Sequence, residues 1–190
     1  QPLPGHDFAG VVTAVPSTST SKCDLVVGDR VFGMNMGASG SLHSRTMIST
    51  MVLERMPPTW TFEEACHIPM VFMTVEYALG EQARLKAGER ILINSAAGGV
   101  GLAVIQYAKR VGATVFASAS AGKHEYLRSL GVQYISTSRD SDVFGREMRE
   151  MVGERGVDVV LNSLTSGNFI AESVALLAPN GQFIEIGKRN

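Results

Sequence analysis

Two cysteines in 190 residues leave little room for sulfur chemistry. Neither Cys23 nor Cys66 belongs to a C-x-x-C pair. A disulfide framework and a cysteine-built zinc lobe are thereby excluded, and a reducing compartment, the cytoplasm, is expected. A surplus of either charge is missing too. Lys and Arg number 17 against 18 Asp and Glu, a net charge of −1. Nucleic acid and anionic membrane surfaces are therefore not expected partners. No apolar run reaches the roughly 18 residues of a membrane span, and no signal peptide is visible. What the chain does have is 45% apolar and 18% charged residues, the balance of a globular fold with a real core. It begins "QPLPG" and ends "EIGKRN" just after an apolar run, so both ends read as cut from something longer.

Two regimes of pattern follow. From Gln1 to about Pro58 the sequence reads as short strands with turn punctuation. "FAGVVTAV" (Phe8 to Val15) and "GDRVFGM" (Gly28 to Met34) are strand candidates there. From Thr61 the pattern becomes helical, with Glu64 three residues on to complete a capping box and Pro69 to break the helix in two. Apolar strands and helical stretches then alternate about five times, beginning with "RILINSA" and ending with "QFIEIG". That alternation specifies an α/β fold with a parallel, doubly wound sheet.

Between the first of these strands and its helix lies "SAAGGVG". Ala96, Gly98 and Gly101 fall on the three positions of the dinucleotide fingerprint. The second lets a pyrophosphate approach the backbone, and the third lets helix pack on strand. The free N–H groups of the helix then face the anion. An NAD site places an acid about 20 residues on, to hold the ribose 2′-OH. Ser120 stands 19 residues after Gly101, with Lys123 and Arg139 beyond it. A hydroxyl and two cations suit a 2′-phosphate, so NADPH is the expected cofactor.

The stretches "PGHDFAGVV", "VGDRVFGM", "PMVFMTVEYAL", "GERILINSAAGGVGLAVIQYAKRVGATVFASAS", "GVDVVLNSL" and "LLAPNGQFIEIGK" resemble the medium-chain dehydrogenase/reductase superfamily. Within it they resemble the enoyl reductase domains of type I polyketide and animal fatty acid synthases. The resemblance implies a Rossmann sheet at 67–190, truncated after its fifth strand. Part of a GroES-like β-barrel domain at 1–66 precedes it. His6 holds the place of a zinc ligand of the alcohol dehydrogenases, but Asp7 follows it and Met70 stands where a cysteine would. A thioether is a poor zinc ligand, so no metal is expected and His6 is read as structural.

The resemblance also implies reduction of an enoyl thioester carried on acyl carrier protein, with the other synthase domains as partners and an oligomer compatible. Lys188 is the candidate for enolate stabiliser and proton donor, at the carboxyl end of the fifth strand. Burial, by lowering its pKa, would suit that ammonium to proton donation, and a solvated lysine beside Arg189 is the alternative. Cofactor contacts are assigned to Ala97, Gly98, Gly99, Val100 and Gly101 in the turn. Further contacts are assigned to Ser118, Ser120, Lys123, Arg139, Asn162, Ser163, Leu164, Ile186 and Gly187 at strand ends, and to Thr74. Tyr77 and His67 read as core residues, Cys66 as a buried thiol and the methionines as core filler. Two alternatives stay open. One is a free-standing, zinc-independent NADPH quinone oxidoreductase. The other is a catalytically degenerate scaffold domain of a synthase.

Overall fold

A computed structural model describes residues 4–16, 24–35 and 40–188. Cys23 and both chain ends lie outside these residues. The chain divides into two compact units, Gln1–Met73 and Thr74–Asn190.

The first unit contains three antiparallel strands in the order β1 (Asp7–Val11), β2 (Arg30–Met34), β3 (Leu53–Arg55). The first strand is shorter than "FAGVVTAV" predicts, because Val12 leaves the ladder to exchange backbone bonds with Gly28 and Asp29. Helix α1 (Phe62–Ala65) starts at the expected capping box, with Thr61 and Glu64 satisfying each other's backbone N–H. Pro69 opens α2 (Pro69–Val75), where its fixed φ and missing N–H cost nothing.

In the second unit the helical run continues as a π-helical segment, Glu76–Gln82, before the sheet begins. Strands β4 (Arg90–Ile93), β5 (Thr114–Ala119), β6 (Tyr134–Thr137), β7 (Val157–Asn162) and β8 (Leu177–Glu185) are all parallel, in the order β6-β5-β4-β7-β8. The crossovers are α3 (Gly99–Val111), α4 (His124–Ser129), α5 (Ser141–Val152) and α6 (Phe169–Ala175). Parallel neighbours cannot be joined by a hairpin, so each connection carries a helix back across a face of the sheet. Ile91, Leu92 and Ile93 are all essentially unexposed, so both faces of β4 are covered.

One face carries Leu92, Phe116 and Val160 against Phe144 and Met148 of α5 and Phe169 of α6. Phe116 stacks on Tyr134 at 4.5 Å, and the Arg90 guanidinium lies 4.8 Å over the Phe116 ring. Arg90 also donates to the carbonyls of Val152 and Gly156, both at 2.9 Å, so its charge is not stranded. The strand order reverses between β4 and β7. In such a sheet a crevice opens outside the carboxyl ends at that switch point.

Candidate functional site

The glycine-rich turn sits at this crevice. After β4 the backbone turns through Asn94 and Ser95, the latter held in the left-handed region at φ 58°. Two bonds to β5 secure that conformation. The Ser95 amide donates to Ser118 Oγ at 3.2 Å, and the Ala96 amide donates to the Ser118 carbonyl at 2.9 Å. Gly98 is the residue before α3, with φ −86° and ψ 171°, an extended conformation open to any residue. Beyond its chain neighbours, a Cβ there would come no nearer than 3.4 Å to another residue, at the carbonyl oxygen of Ser95. Neither backbone nor packing requires glycine at this position, and the space beside it is open. Gly101 differs, being buried against Ala96.

Helix α3 has no side-chain cap and no acid in its first turn, while Lys109 and Arg110 occupy its last. Its first N–H groups, from Gly99 onward, find no partner within the helix and carry the positive end of its dipole. A thirteen-residue helix with an uncovered start, facing a glycine with spare room, fits the pyrophosphate of a dinucleotide. Ala97 and Val100 flank the turn, half-buried.

Ser120, Lys123 and Arg139 are brought to the same end of the sheet. Ala119 pairs with Thr137, so Ser120 and Arg139 follow the ends of neighbouring strands. The Lys123 amide closes a tight turn on the Ser120 carbonyl at 2.9 Å, and the Arg139 amide donates to Thr137 Oγ1 at 3.1 Å. Both cationic side chains are exposed, and neither joins an ion pair among the described residues. The nearest acid in sequence, Asp140, is engaged as the cap of α5, accepting from Asp142 and Val143.

A family model for zinc-binding dehydrogenases matches residues 99–190. The chain is 44% identical over 186 residues to erythronolide synthase EryA2 of Saccharopolyspora erythraea, covering 97% of this chain and 5% of that protein. Among solved structures, CurK enoyl reductase superposes with a TM-score of 0.88 at 41% identity, covering 96% of this chain and 53% of that one. The nucleotide-binding subdomain of the enoylreductase domain of PpsC from Mycobacterium tuberculosis is 48% identical, with a TM-score of 0.59. The match covers 63% of this chain and 66% of that one. The chain belongs to the enoyl reductase domains of polyketide synthases.

Several contacts assigned to this enoyl reductase domain from sequence take another form. Ser118 and Asn162 have no exposed surface, so their side chains do not reach a bound cofactor. Each instead supports the crevice from beneath. Ser118 Oγ donates to Asn94 Oδ1 at 3.0 Å. Asn162 donates to the Leu164 carbonyl at 3.1 Å and to Glu185 Oε2 at 2.7 Å. Ser163 donates to the Asn94 carbonyl at 3.1 Å, tying β7 to β4 across the switch point. The Ile186 amide donates to the Asn162 carbonyl at 2.9 Å, and the Gly187 amide to Glu185 Oε1 at 2.7 Å. Sequence reasoning missed Asn94, Glu185 and Ser173; a polar residue ending an apolar strand was a visible signal for the first two, whereas Ser173 lies in α6.

Lys188 follows directly, beside the end of β7, and it is exposed. Thr74 is half-buried in α2. Tyr77 is 63% exposed rather than in the core, and His67 is exposed as well, its Nδ1 bonded to the Glu63 carbonyl. Cys66 is only partly buried, donating to the same carbonyl at 3.2 Å. Met56 and Met148 are core residues, whereas Met47 and Met51 are over 90% exposed.

At the place compared with a zinc site, His6 is exposed and Asp7 Oδ1 accepts from the Met70 amide at 2.9 Å. Burial raises the Asp7 carboxyl above its ordinary range, opposed by that amide and by His6 and His67. Among the described residues no group of three or more His, Cys, Asp or Glu side chains could hold a metal. No described helix is long and apolar enough to cross a membrane.

Proposed function

We propose that this domain reduces the α,β double bond of an enoyl thioester presented on acyl carrier protein, with NADPH as reductant, within a polyketide synthase. The chain spans only 5% of EryA2 and 53% of CurK, so substrate and partners belong to this reading. The observation that carries it is the open glycine turn at the switch point, flanked by exposed Lys123 and Arg139 beyond the ends of the next two strands, neither in an ion pair among the described residues.

Bound there, the nicotinamide would supply a hydride to the substrate's β-carbon. The turn amides and the start of α3 bind the pyrophosphate. Ser120, Lys123 and Arg139 provide a hydroxyl and two cations for the 2′-phosphate. As the β-carbon accepts the hydride, the alkene electron pair would form a double bond between the α-carbon and the carbonyl carbon, and the carbonyl pair would move onto the thioester oxygen. Lys188 offers an ammonium to stabilise that enolate oxygen and a proton for the α-carbon.

The test is turnover of NADPH with a crotonyl thioester by the intact reductase domain, with Lys188→Ala in parallel. Replacement of Lys188 is expected to lower kcat by about 10²–10⁴-fold with NADPH affinity little changed. A kcat within a few-fold of wild type would remove Lys188 from the role of essential acid.

A further inference from the structure

Asn94, Ser118, Asn162 and Ser173 are 3% exposed or less, and they meet beneath the carboxyl ends of β5, β4 and β7. The Asn94 amide is at the centre. Its Nδ2 donates to Asn162 Oδ1 at 2.8 Å and to Ser173 Oγ at 2.9 Å, while its Oδ1 accepts from Ser118. Asn162 carries the network on to the Glu185 carboxylate, and Glu185 holds the Gly187 amide. Hydrogen bonds thus run unbroken from the Ser95 amide in the glycine turn to the amide beside Lys188, across four strands.

A core needs no such cluster. Each buried amide or hydroxyl loses its water and must be fully paired to recover that loss, whereas apolar side chains would fill the space without the demand. No buried side-chain polar atom among the described residues is left unpaired, so the network is complete. Its two arms end on backbone amides on either side of the switch point. Directional bonds fix the orientation of those segments, which apolar contact does not.

We infer that Asn94, Asn162 and Glu185 form a positioning relay that sets the Gly187–Lys188 backbone relative to the glycine turn, and with it the lysine relative to the cofactor. The inference rests on the roles given above to Lys188 and the turn. Glu185 and the two asparagines act through their neighbours and touch neither substrate nor cofactor.

The relay is tested by Glu185→Gln and Asn162→Asp in the intact reductase domain. Glu185 is exposed, so its substitution leaves the core packing intact. The glutamine keeps one acceptor oxygen where the carboxylate served two donors. The aspartate sets a second carboxylate against Glu185. The readouts are hydrogen exchange at the Gly187 amide, kcat and KM with a crotonyl thioester, and NADPH titration. Both variants are expected to speed Gly187 exchange about tenfold or more and to lower kcat about tenfold, with KM and NADPH affinity within about threefold. Unchanged exchange would overturn the relay, and so would faster exchange with unchanged kcat. If Asn162→Asp does not fold, Glu185→Gln decides alone. A wild-type domain that binds NADPH but reduces no thioester would sink the functional reading instead, and the exchange arm would still decide the relay.

Discussion

A Cβ built on Gly101 would stand 2.5 Å from the carbonyl oxygen of Ala96 and 2.6 Å from its Cα. Real Cβ atoms do not approach backbone so closely, so only glycine lets α3 rest on the end of β4. At Gly98 the same construction meets nothing nearer than 3.4 Å. The two glycines therefore differ: packing requires the one at 101, whereas the space beside Gly98 is open.

That difference is measurable. Gly101→Ala is expected to destabilise the fold by about 1–3 kcal/mol, as α3 moves off the strand. Gly98→Ala is expected to leave stability unchanged or raise it by up to about 1 kcal/mol, because alanine restricts the unfolded chain. Its cost falls on NADPH affinity instead. Urea denaturation and NADPH titration of both variants check the pair, and a stable Gly101→Ala protein would contradict the packing role.

Lys123→Ala is expected to weaken NADPH by about 1–3 kcal/mol, the loss of a charge-assisted contact, and to leave NADH nearly unchanged. Calorimetric titration with both cofactors gives the answer. Equal losses would mean that Lys123 does not read the 2′-phosphate.

The turn was legible because its signal is local: an apolar strand, glycines at fixed spacing, then a helical period. That the five strands form one parallel sheet followed from alternation alone, whereas their order, β6-β5-β4-β7-β8, did not. The polar network was not legible, because Asn94 meets Asn162 and Ser173 across 68 and 79 residues of sequence. Which way Ser118 and Asn162 point depends on strand register, which residue types at the strand ends do not fix. The π-helical segment hid for another reason. Over seven residues its pattern reads as an ordinary helix, because π and α turns differ by too little for so short a stretch to show. Tyr77 and His67 were misplaced because helical spacing identifies a face, whereas their exposure depends on what lies against it.

Asp7 makes a pH prediction with a definite sign. Burial is the largest influence on its carboxyl and raises it above the ordinary value of 3.8. The folded state then holds its proton to higher pH than the unfolded chain does. Stability from this group therefore falls as pH rises through the window just above that value, and the penalty is complete at neutral pH. Asp7→Asn keeps an oxygen to accept from Met70 and removes the titration. The stability of wild type minus that of Asp7→Asn should decrease between about pH 3 and pH 6. A difference that grows with pH across this range would contradict the assignment.

Enoyl reduction itself is tested most directly by the fate of the hydride. The intact reductase domain is supplied with NADPH deuterated at the transferring position and a crotonyl thioester, and the acyl product is examined by mass spectrometry and NMR. The expected product is the saturated thioester with a single deuterium, placed on the β-carbon. Recovery of unreduced crotonyl thioester at enzyme concentrations above that of NADPH, or a deuterium found on the α-carbon, would contradict it.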